Sequence, residues 1–372
     1  MKILFVITGL FPGGAEKIVL ETIRNLRKQG HDAAAVSLQP EPDAKQHAIV
    51  SELQSLGVRL YFLNLSLRHP FRFFLLNRII RKEKPDVVHS HLMHANLLTR
   101  AARLFRRFTL INTIHIAERR SCLKVRLLFL LDRWSSQLCD ISTAVSAEAA
   151  HFHEQQCRLP EHSIRVVMNG SDPVEPAAPE KQKQLLHEWG LENVQKRIGS
   201  IGRLDFQKGY DLFLNSLPAL RPLIPSGERW GIILIGDGPE RKKLQILAER
   251  MEREIPELRI VLPGYRPDAA ALLPMLDLFV MPSRYEGFGL ALTEALSAGL
   301  PCLCSRADSL PGLCARSPEN TLCTDFVCGK EMTEVYRRAL RLPHLRGKIL
   351  RTAEQMTADY LAIYREAVSQ AS

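Results

Sequence analysis

Residues 197–216 read RIGSIGRLDFQKGYDLFLNS. Arg197–Ile201 has the character of a short buried strand, Gly202 turns the chain, and a helical pattern follows Gly209. A brief apolar run that breaks at glycine and gives way to a helix is one strand–turn–helix unit of a parallel sheet. The unit recurs downstream, with strands expected at Gly231–Ile235, Arg259–Leu262 and Leu278–Met281 and helical stretches between them. Upstream, Lys2–Thr8, Ala33–Leu38, Val58–Leu63, Asp86–His89, Leu110–Ile114, Ile141–Ala144 and Ile164–Val167 read as strands. Helices alternate with them, among them Ala15–Gln29, ended by Gly30, and Arg72–Lys84, ended by Pro85. Such alternation places a parallel sheet between layers of helices.

Asp172–Glu180, DPVEPAAPE, interrupts the pattern with proline and acid, as a connection between domains does. The expected class is therefore α/β, with two doubly wound domains in tandem. The boundaries read as 1–170 for the first domain, 171–196 for the connection, 197–351 for the second domain and 352–372 for a C-terminal helix. That helix carries Tyr360, Leu361 and Tyr364 on one side and is expected to pack back toward the first domain. A chain of 372 residues suits two domains better than one.

No run of apolar residues is long enough for a membrane-spanning helix. The opening MKILFVITGLFPGG ends in a glycine turn and has no basic leader with a small-residue cleavage site, so it reads as a first strand and the expected location is cytoplasmic. Five of the eight cysteines, Cys302, Cys304, Cys314, Cys323 and Cys328, share one stretch without paired C-x-x-C spacing. They read as reduced thiols rather than a zinc site. Charge is one-sided: residues through Arg165 hold 24 basic and 14 acidic side chains, and the remainder holds 26 of each. The whole net charge of +10 thus lies in the first half, which points to an anionic partner.

Three segments carry chemistry. Gly9-Leu10-Phe11-Pro12-Gly13-Gly14 joins a strand to a helix, where backbone amides can approach a phosphate. It is neither a G-x-G-x-x-G nor a P-loop with its lysine. Arg203 and Lys208 flank the turn of the opening stretch, and a pyrophosphate needs such cations beside helix-end amides. In Pro282-Ser283-Arg284-Tyr285-Glu286-Gly287-Phe288-Gly289-Leu290, Glu286 lies in the loop and Glu294 about one turn into the following helix. A carboxylate accepts two sugar hydroxyls, so one can read a transferred sugar and the other a ribose. The three histidines of HSHLMH, His89, His91 and His94, have no acidic or thiol ligand beside them, and no metal is expected there.

The stretches IGRLDFQKGYDLFLNSL, LIGDGPERKKL, LPGYRPD and MPSRYEGFGLALTEALSAGLP resemble the donor domain of retaining glycosyltransferases of the GT-B fold, specifically glycosyltransferase family 4 (glycosyl transferases group 1). GLFPGGAEKIVL, RKQGHD, PDVVHSH and AVSAEAA resemble that family's acceptor domain, and VMNGSDP the segment that links the two. The resemblance implies two Rossmann-like domains facing a central cleft, an N-terminal one for the acceptor and a C-terminal one for a nucleotide-diphospho-sugar, a UDP-sugar rather than a GDP-sugar. It implies that Arg203 and Lys208 hold the diphosphate, that Glu286 binds hydroxyls of the transferred sugar and that Glu294 binds the ribose. Amides of Phe288, Gly289 and Leu290 would approach the phosphates or sugar, and Gly13 and Gly14 would lie near the diphosphate and acceptor. His115 is similar to the family's active-site histidine, and with Glu286 it is the expected catalytic pair. One departure is visible: many relatives place paired glycines after the strand near Pro301–Cys304, whereas this chain has Ser305-Arg306-Ala307-Asp308-Ser309-Leu310-Pro311-Gly312.

The implied reaction is transfer of a hexose or N-acetylhexosamine, with retention, to a saccharide or lipid-linked acceptor of lipopolysaccharide or surface polysaccharide, without an obligatory cofactor. Phe71–Arg81, Arg103–Phe108 and Cys122–Trp134 mix Arg and Lys with large apolar residues, so peripheral contact with the inner face of an anionic membrane is expected, and nucleic acid is not. The alternatives are a GT-B-fold sugar-nucleotide epimerase and a non-catalytic basic protein that binds membrane or nucleic acid. The second leaves Arg203, Lys208, Glu286 and Glu294 without a role.

Overall fold

The computed structural model describes residues 1–66, 69–115, 123–327, 329–345 and 347–371. Ile116–Arg120 of the NTIHIAERR stretch, Cys122 and Cys328 lie outside the described residues. Backbone contacts divide the chain into two units, Met1–Gly170 with Arg351–Ser372 and Ser171–Leu350.

In the first unit the elements run β1 (Lys2–Ile7), α1 (Gly14–Lys28), β2 (Asp32–Ser37), α2 (Ala48–Ser55), β3 (Arg59–Phe62), α3 (Phe73–Glu83), β4 (Val87–His91), α4 (Met93–Arg103), β5 (Leu110–Ile114), α5 (Leu123–Ser135), β6 (Ile141–Ala144), α6 (Ala147–Cys157) and β7 (Arg165–Val166). The second unit adds α7 (Pro179–Glu188), β8 (Lys196–Ile201), α8 (Tyr210–Ser216), β9 (Trp230–Ile235), α9 (Arg241–Glu254), β10 (Leu258–Gly264), β11 (Leu278–Met281), α10 (Leu290–Ser297), β12 (Cys302–Ser305), α11 (Leu310–Cys314), β13 (Thr321–Thr324) and α12 (Lys330–Ala339). The chain then returns to the first unit as α13 (Ala353–Ala371).

Both sheets are parallel, in the orders β3-β2-β1-β4-β5-β6-β7 and β10-β9-β8-β11-β12-β13. Central strands are buried along their length because helices cover both faces, which is why their sequences run apolar instead of alternating. α1 shows how the helices attach: Ile18, Val19, Thr22, Ile23 and Leu26 recur at helical spacing and are all buried. Leu4, Val6, Val36, Val88, Leu76 and Ile80 form one core of the first unit. Ile198, Phe213, Trp230, Ile232, Leu278 and Tyr336 belong to one core of the second.

Two differences from the sequence reading have local causes. β4 extends two residues beyond His89, because the buried His89 and His91 rings find hydrogen-bond partners in the fold that their sequence neighbours do not reveal. α7 begins inside the acid- and proline-rich segment at Pro179, whose fixed φ and missing N–H suit a first helical position. α13 docks with Met356, Tyr360, Tyr364 and Ala367 fully buried. The turn that brings it back passes so close to Gly170 that a Cβ there would lie 2.0 Å from the Thr352 carbonyl oxygen.

Candidate functional site

β8 and β11 are neighbours in the second sheet, and the chain order reverses between them: β9 and β10 continue outward from β8, β12 and β13 from β11. The loops that leave two such strands diverge over their carboxyl ends, where ligands of open α/β sheets bind. Both motifs of the second half occupy those loops.

After β8, Asp205 accepts the Lys208 amide proton on Oδ1 at 3.4 Å and holds a single helical turn over Phe206–Lys208. Gly209 follows at φ +65, and a Cβ there would fall 2.1 Å from the Pro282 carbonyl oxygen, so only glycine lets this loop lie against the end of β11. The turn aims Lys208 inward, and its Nζ donates to Glu286 Oε2 at 2.6 Å. Ser283 Oγ donates to the same oxygen at 3.2 Å. The Glu286 amide donates to Asp308 Oδ2 at 2.8 Å. Arg284 laces the two loops together: it forks onto Asp211 with both contacts at 2.8 Å, donates to the Phe206 carbonyl at 2.9 Å and lies 4.1 Å over the Phe206 ring. Its hydrogen bonds hold the Asp211 carboxyl below the usual carboxylate range.

Gly289, at φ +97, turns the chain into α10, whose first amides have no partner within the helix. Ser309 Oγ fixes the loop by donating to the Phe288 carbonyl at 2.8 Å. Phe288 and Glu294 are buried, Glu294 one turn into α10, while Leu290 is half-buried. The Arg203 guanidinium stays in solvent, its side chain 72% exposed and 3.6 Å from Asp205. A cation locked beside a carboxylate, next to open helix amides, can take phosphate on one side and hydroxyls on the other.

In the first unit the chain order reverses between β1 and β4. Gly13, at the end of the loop after β1, and Gly14, the first residue of α1, are exposed, and a Cβ on Gly14 would meet nothing within 4 Å. His91 closes β4 and His115 follows β5; His91 Nδ1 and His115 Nε2 are 2.9 Å apart. Burial pushes the His115 imidazole down to about 3 and the His91 ring well below its usual range, so both are neutral near pH 7. His89 is tied elsewhere, 2.7 Å from the Tyr364 hydroxyl and 2.7 Å from Thr113 Oγ1. Thr8 Oγ1, His91 Nε2 and Asn169 Oδ1 are buried without a hydrogen-bond partner among the described residues. They follow or end β1, β4 and β7, which places these buried polar groups toward the carboxyl edge of this sheet.

The structure joins Lys208 to Glu286 and His115 to His91, and leaves Arg203 apart from the Lys208–Glu286 pair. Sequence reading missed Arg284, Asp211 and Asp308, whose partners are far along the chain. Asp308 had a signal: it falls in the segment that departs from the paired glycines and takes φ +41, a conformation open to glycine and to few other residues. Among the described residues, one group of metal-ligand side chains converges, Asp132, His153 and Cys157, with ligand atoms within 4.8 Å of one another. They are engaged already: His153 Nε2 lies 2.7 Å from Asp132 Oδ2, and Arg100 holds Asp132 Oδ1 at 2.8 Å.

The Glycosyltransferase Family 4 model matches residues 12–175 and the Glycosyl transferases group 1 model matches residues 195–340. The lipopolysaccharide core biosynthesis mannosyltransferase LpsB of Rhizobium meliloti is 33% identical over 158 residues, 42% of this chain and 44% of that protein, less than half of its length. The UDP-Gal:alpha-D-GlcNAc-diphosphoundecaprenol alpha-1,3-galactosyltransferase of Escherichia coli is 26% identical over 306 residues, 78% of this chain and 76% of that protein. The crystal structure of Anabaena HepE in complex with UDP-glucose superposes with a TM-score of 0.77 at 20% identity, covering 100% of this chain and 99% of that one. That identity speaks for the fold, and the two family matches for the lineage: the chain belongs to the GT-B-fold glycosyltransferases, family 4 in its first half and group 1 in its second.

Proposed function

We propose that the protein transfers a hexose or N-acetylhexosamine from a nucleotide-diphospho-sugar, a UDP-sugar before a GDP-sugar, to a saccharide or lipid-linked acceptor in the synthesis of lipopolysaccharide or another surface polysaccharide. The Lys208–Glu286 pair at the reversal of the second sheet carries the reading. In it the second unit binds the donor and the first unit the acceptor. Lys208 and the first amides of α10 hold the diphosphate as its charge grows on departure, and Arg203 swings in from solvent to join them. Glu286 accepts hydroxyls of the transferred sugar and Glu294 those of the ribose. His115, neutral and oriented by His91, donates to or accepts from the donor sugar without adding charge. The amides at Gly13 and Gly14 approach the diphosphate and acceptor.

The anomeric configuration is retained in this reading: the acceptor attacks on the face the diphosphate leaves, and a leaving phosphate oxygen takes the acceptor proton. The protein's part is positioning and charge stabilisation. The UDP-Gal-named relative of Escherichia coli and UDP-glucose in a structural neighbour favour the uridine donor. Proton NMR of the first product tests the stereochemistry: an anomeric coupling equal to that of the donor supports retention, and inversion sinks it. Release of free or epimerised sugar without an acceptor would favour the epimerase reading instead.

A further inference from the structure

Ten of the fifteen exposed large apolar side chains among the described residues lie between Phe71 and Trp134 in the first unit. α5 buries Phe129 and Asp132 but presents Leu123, Leu127, Leu130, Leu131 and Trp134 to solvent, Leu123 at 83% exposure and Trp134 at 71%. Spacings of three and four make these one stripe, the reverse of a surface helix that docks its apolar face on its own sheet. Phe71, Phe74 and Leu75 at the start of α3 and Leu104 and Phe105 after α4 are exposed as well. The Phe74 and Phe105 ring centroids are 5.9 Å apart, which joins those two ends. Arg103 Nη1 donates to the Leu138 carbonyl at 3.0 Å, which sets the end of α4 beside the segment that follows Trp134.

The same region holds the chain's charge. Residues 69–134 contain 14 Lys and Arg against 4 Asp and Glu, a net +10 equal to that of the whole chain. Two of those acids are buried and answered from within: Glu83 by Lys2 at 2.9 Å and Arg59 at 3.0 Å, Asp132 by Arg100 at 2.8 Å. Arg100 is itself buried, but Arg78, Arg106, Arg107, Lys124, Arg126 and Arg133 are exposed, so the exposed face is apolar and cationic together. A second copy would bring the same positive field against itself. A nucleic acid would answer the charge but leave a leucine stripe unburied. A lipid bilayer with anionic headgroups satisfies both, with Trp and Phe at the headgroup level and Arg and Lys on the phosphates.

We propose that this face, from Phe71 and Phe74 across Phe105 to the Leu127–Trp134 stripe, seats the enzyme on an anionic membrane without crossing it. The inference deepens the lipid-linked acceptor reading and rests on it. No described helix is long and apolar enough to span a bilayer.

The tryptophans supply the test, because Trp189 and Trp230 are buried at 7% and 2% exposure and Trp134 is the third of three. Full-length protein is titrated with phosphatidylcholine vesicles, with and without phosphatidylglycerol, and followed by tryptophan emission and sedimentation. The expected result is a blue shift and brominated-lipid quenching with anionic vesicles only, absent in Trp134→Phe. Binding should weaken on the order of tenfold from low to high salt, and on the order of tenfold in Phe105→Ser/Leu127→Ser. That double variant should keep the wild-type thermal shift with donor. Equal binding to neutral vesicles, no shift with anionic ones, or self-association that buries Trp134 without lipid would overturn the proposal. Loss of vesicle binding with donor binding intact strikes the docking face alone, whereas absence of any donor effect strikes the transferase reading.

Discussion

Lys208 Nζ and Glu286 Oε2 lie 2.6 Å apart although 78 residues separate them in sequence. The contact exists because β8 and β11 are neighbours whose following loops are laced together by Arg284. With Lys208 removed, the Glu286 carboxylate loses its cationic partner in a site where only 9% of the residue is exposed. Lys208→Ala should therefore lower stability by about 1–3 kcal/mol and lower donor affinity, while Glu286→Gln should cost less stability and as much activity. Urea denaturation with initial-rate kinetics on both variants checks the pair; equal stability loss in the two would contradict it.

Asp308 acts at the other end of the same loop. It accepts the Glu286 amide proton while holding φ +41. Asp308→Ala removes the acceptor and keeps the backbone strain, so kcat/KM should fall about tenfold, whereas Asp308→Asn keeps an oxygen in place and should stay near wild type. A rate comparison decides: equal defects in the two would mean that the charge, not the hydrogen bond, matters.

Arg284 offers a second structural check. Lysine cannot reproduce its fork on Asp211 or its stacking on Phe206. Arg284→Lys should destabilise by about 1 kcal/mol and loosen the loop that presents Lys208, raising donor KM more than it lowers kcat. An unchanged KM would argue against that coupling.

The buried histidines set a pH dependence. Burial pushes His89 and His115 down to about 3 in the folded chain, against about 6.5 when unfolded. Between those values the unfolded chain holds protons that the folded chain refuses. Their contribution is therefore complete above about pH 6.5 and is lost progressively as pH falls toward 3, at up to about 1.4 kcal/mol per pH unit for each histidine. Urea midpoints measured from pH 7 to pH 4.5 should fall, and His89→Gln should reduce the slope by about one proton. A slope untouched by that change would contradict the assignment.

The strand–helix alternation was legible because fully buried parallel strands must be apolar runs, and Leu110–Ile114, Ile141–Ala144 and Leu278–Met281 were placed to the residue. β13 was not, because Thr321–Thr324 is a short strand of mixed polarity with only β12 as neighbour. Within the candidate site, Lys208 and Glu286 could be singled out by residue type and loop context. Their mutual bond could not, since it depends on strand order. Asp308 escaped for the same reason: the sequence exposed the departure from glycine, and only the fold reveals that its carboxylate reaches Glu286. The outward stripe on α5 has the same spacing as a docked helix, so periodicity alone could not say which way it faces.

The most direct test of the donor site is a thermal-shift panel of UDP- and GDP-sugars on wild type, Lys208→Ala and Glu286→Ala. A nucleotide sugar present at about 100 times its Kd adds about 2.7 kcal/mol to the folded state. The account predicts stabilisation of wild type by one UDP-sugar and its loss in both variants. No stabilisation by any donor at millimolar concentration, or an undiminished shift in both variants, would contradict it.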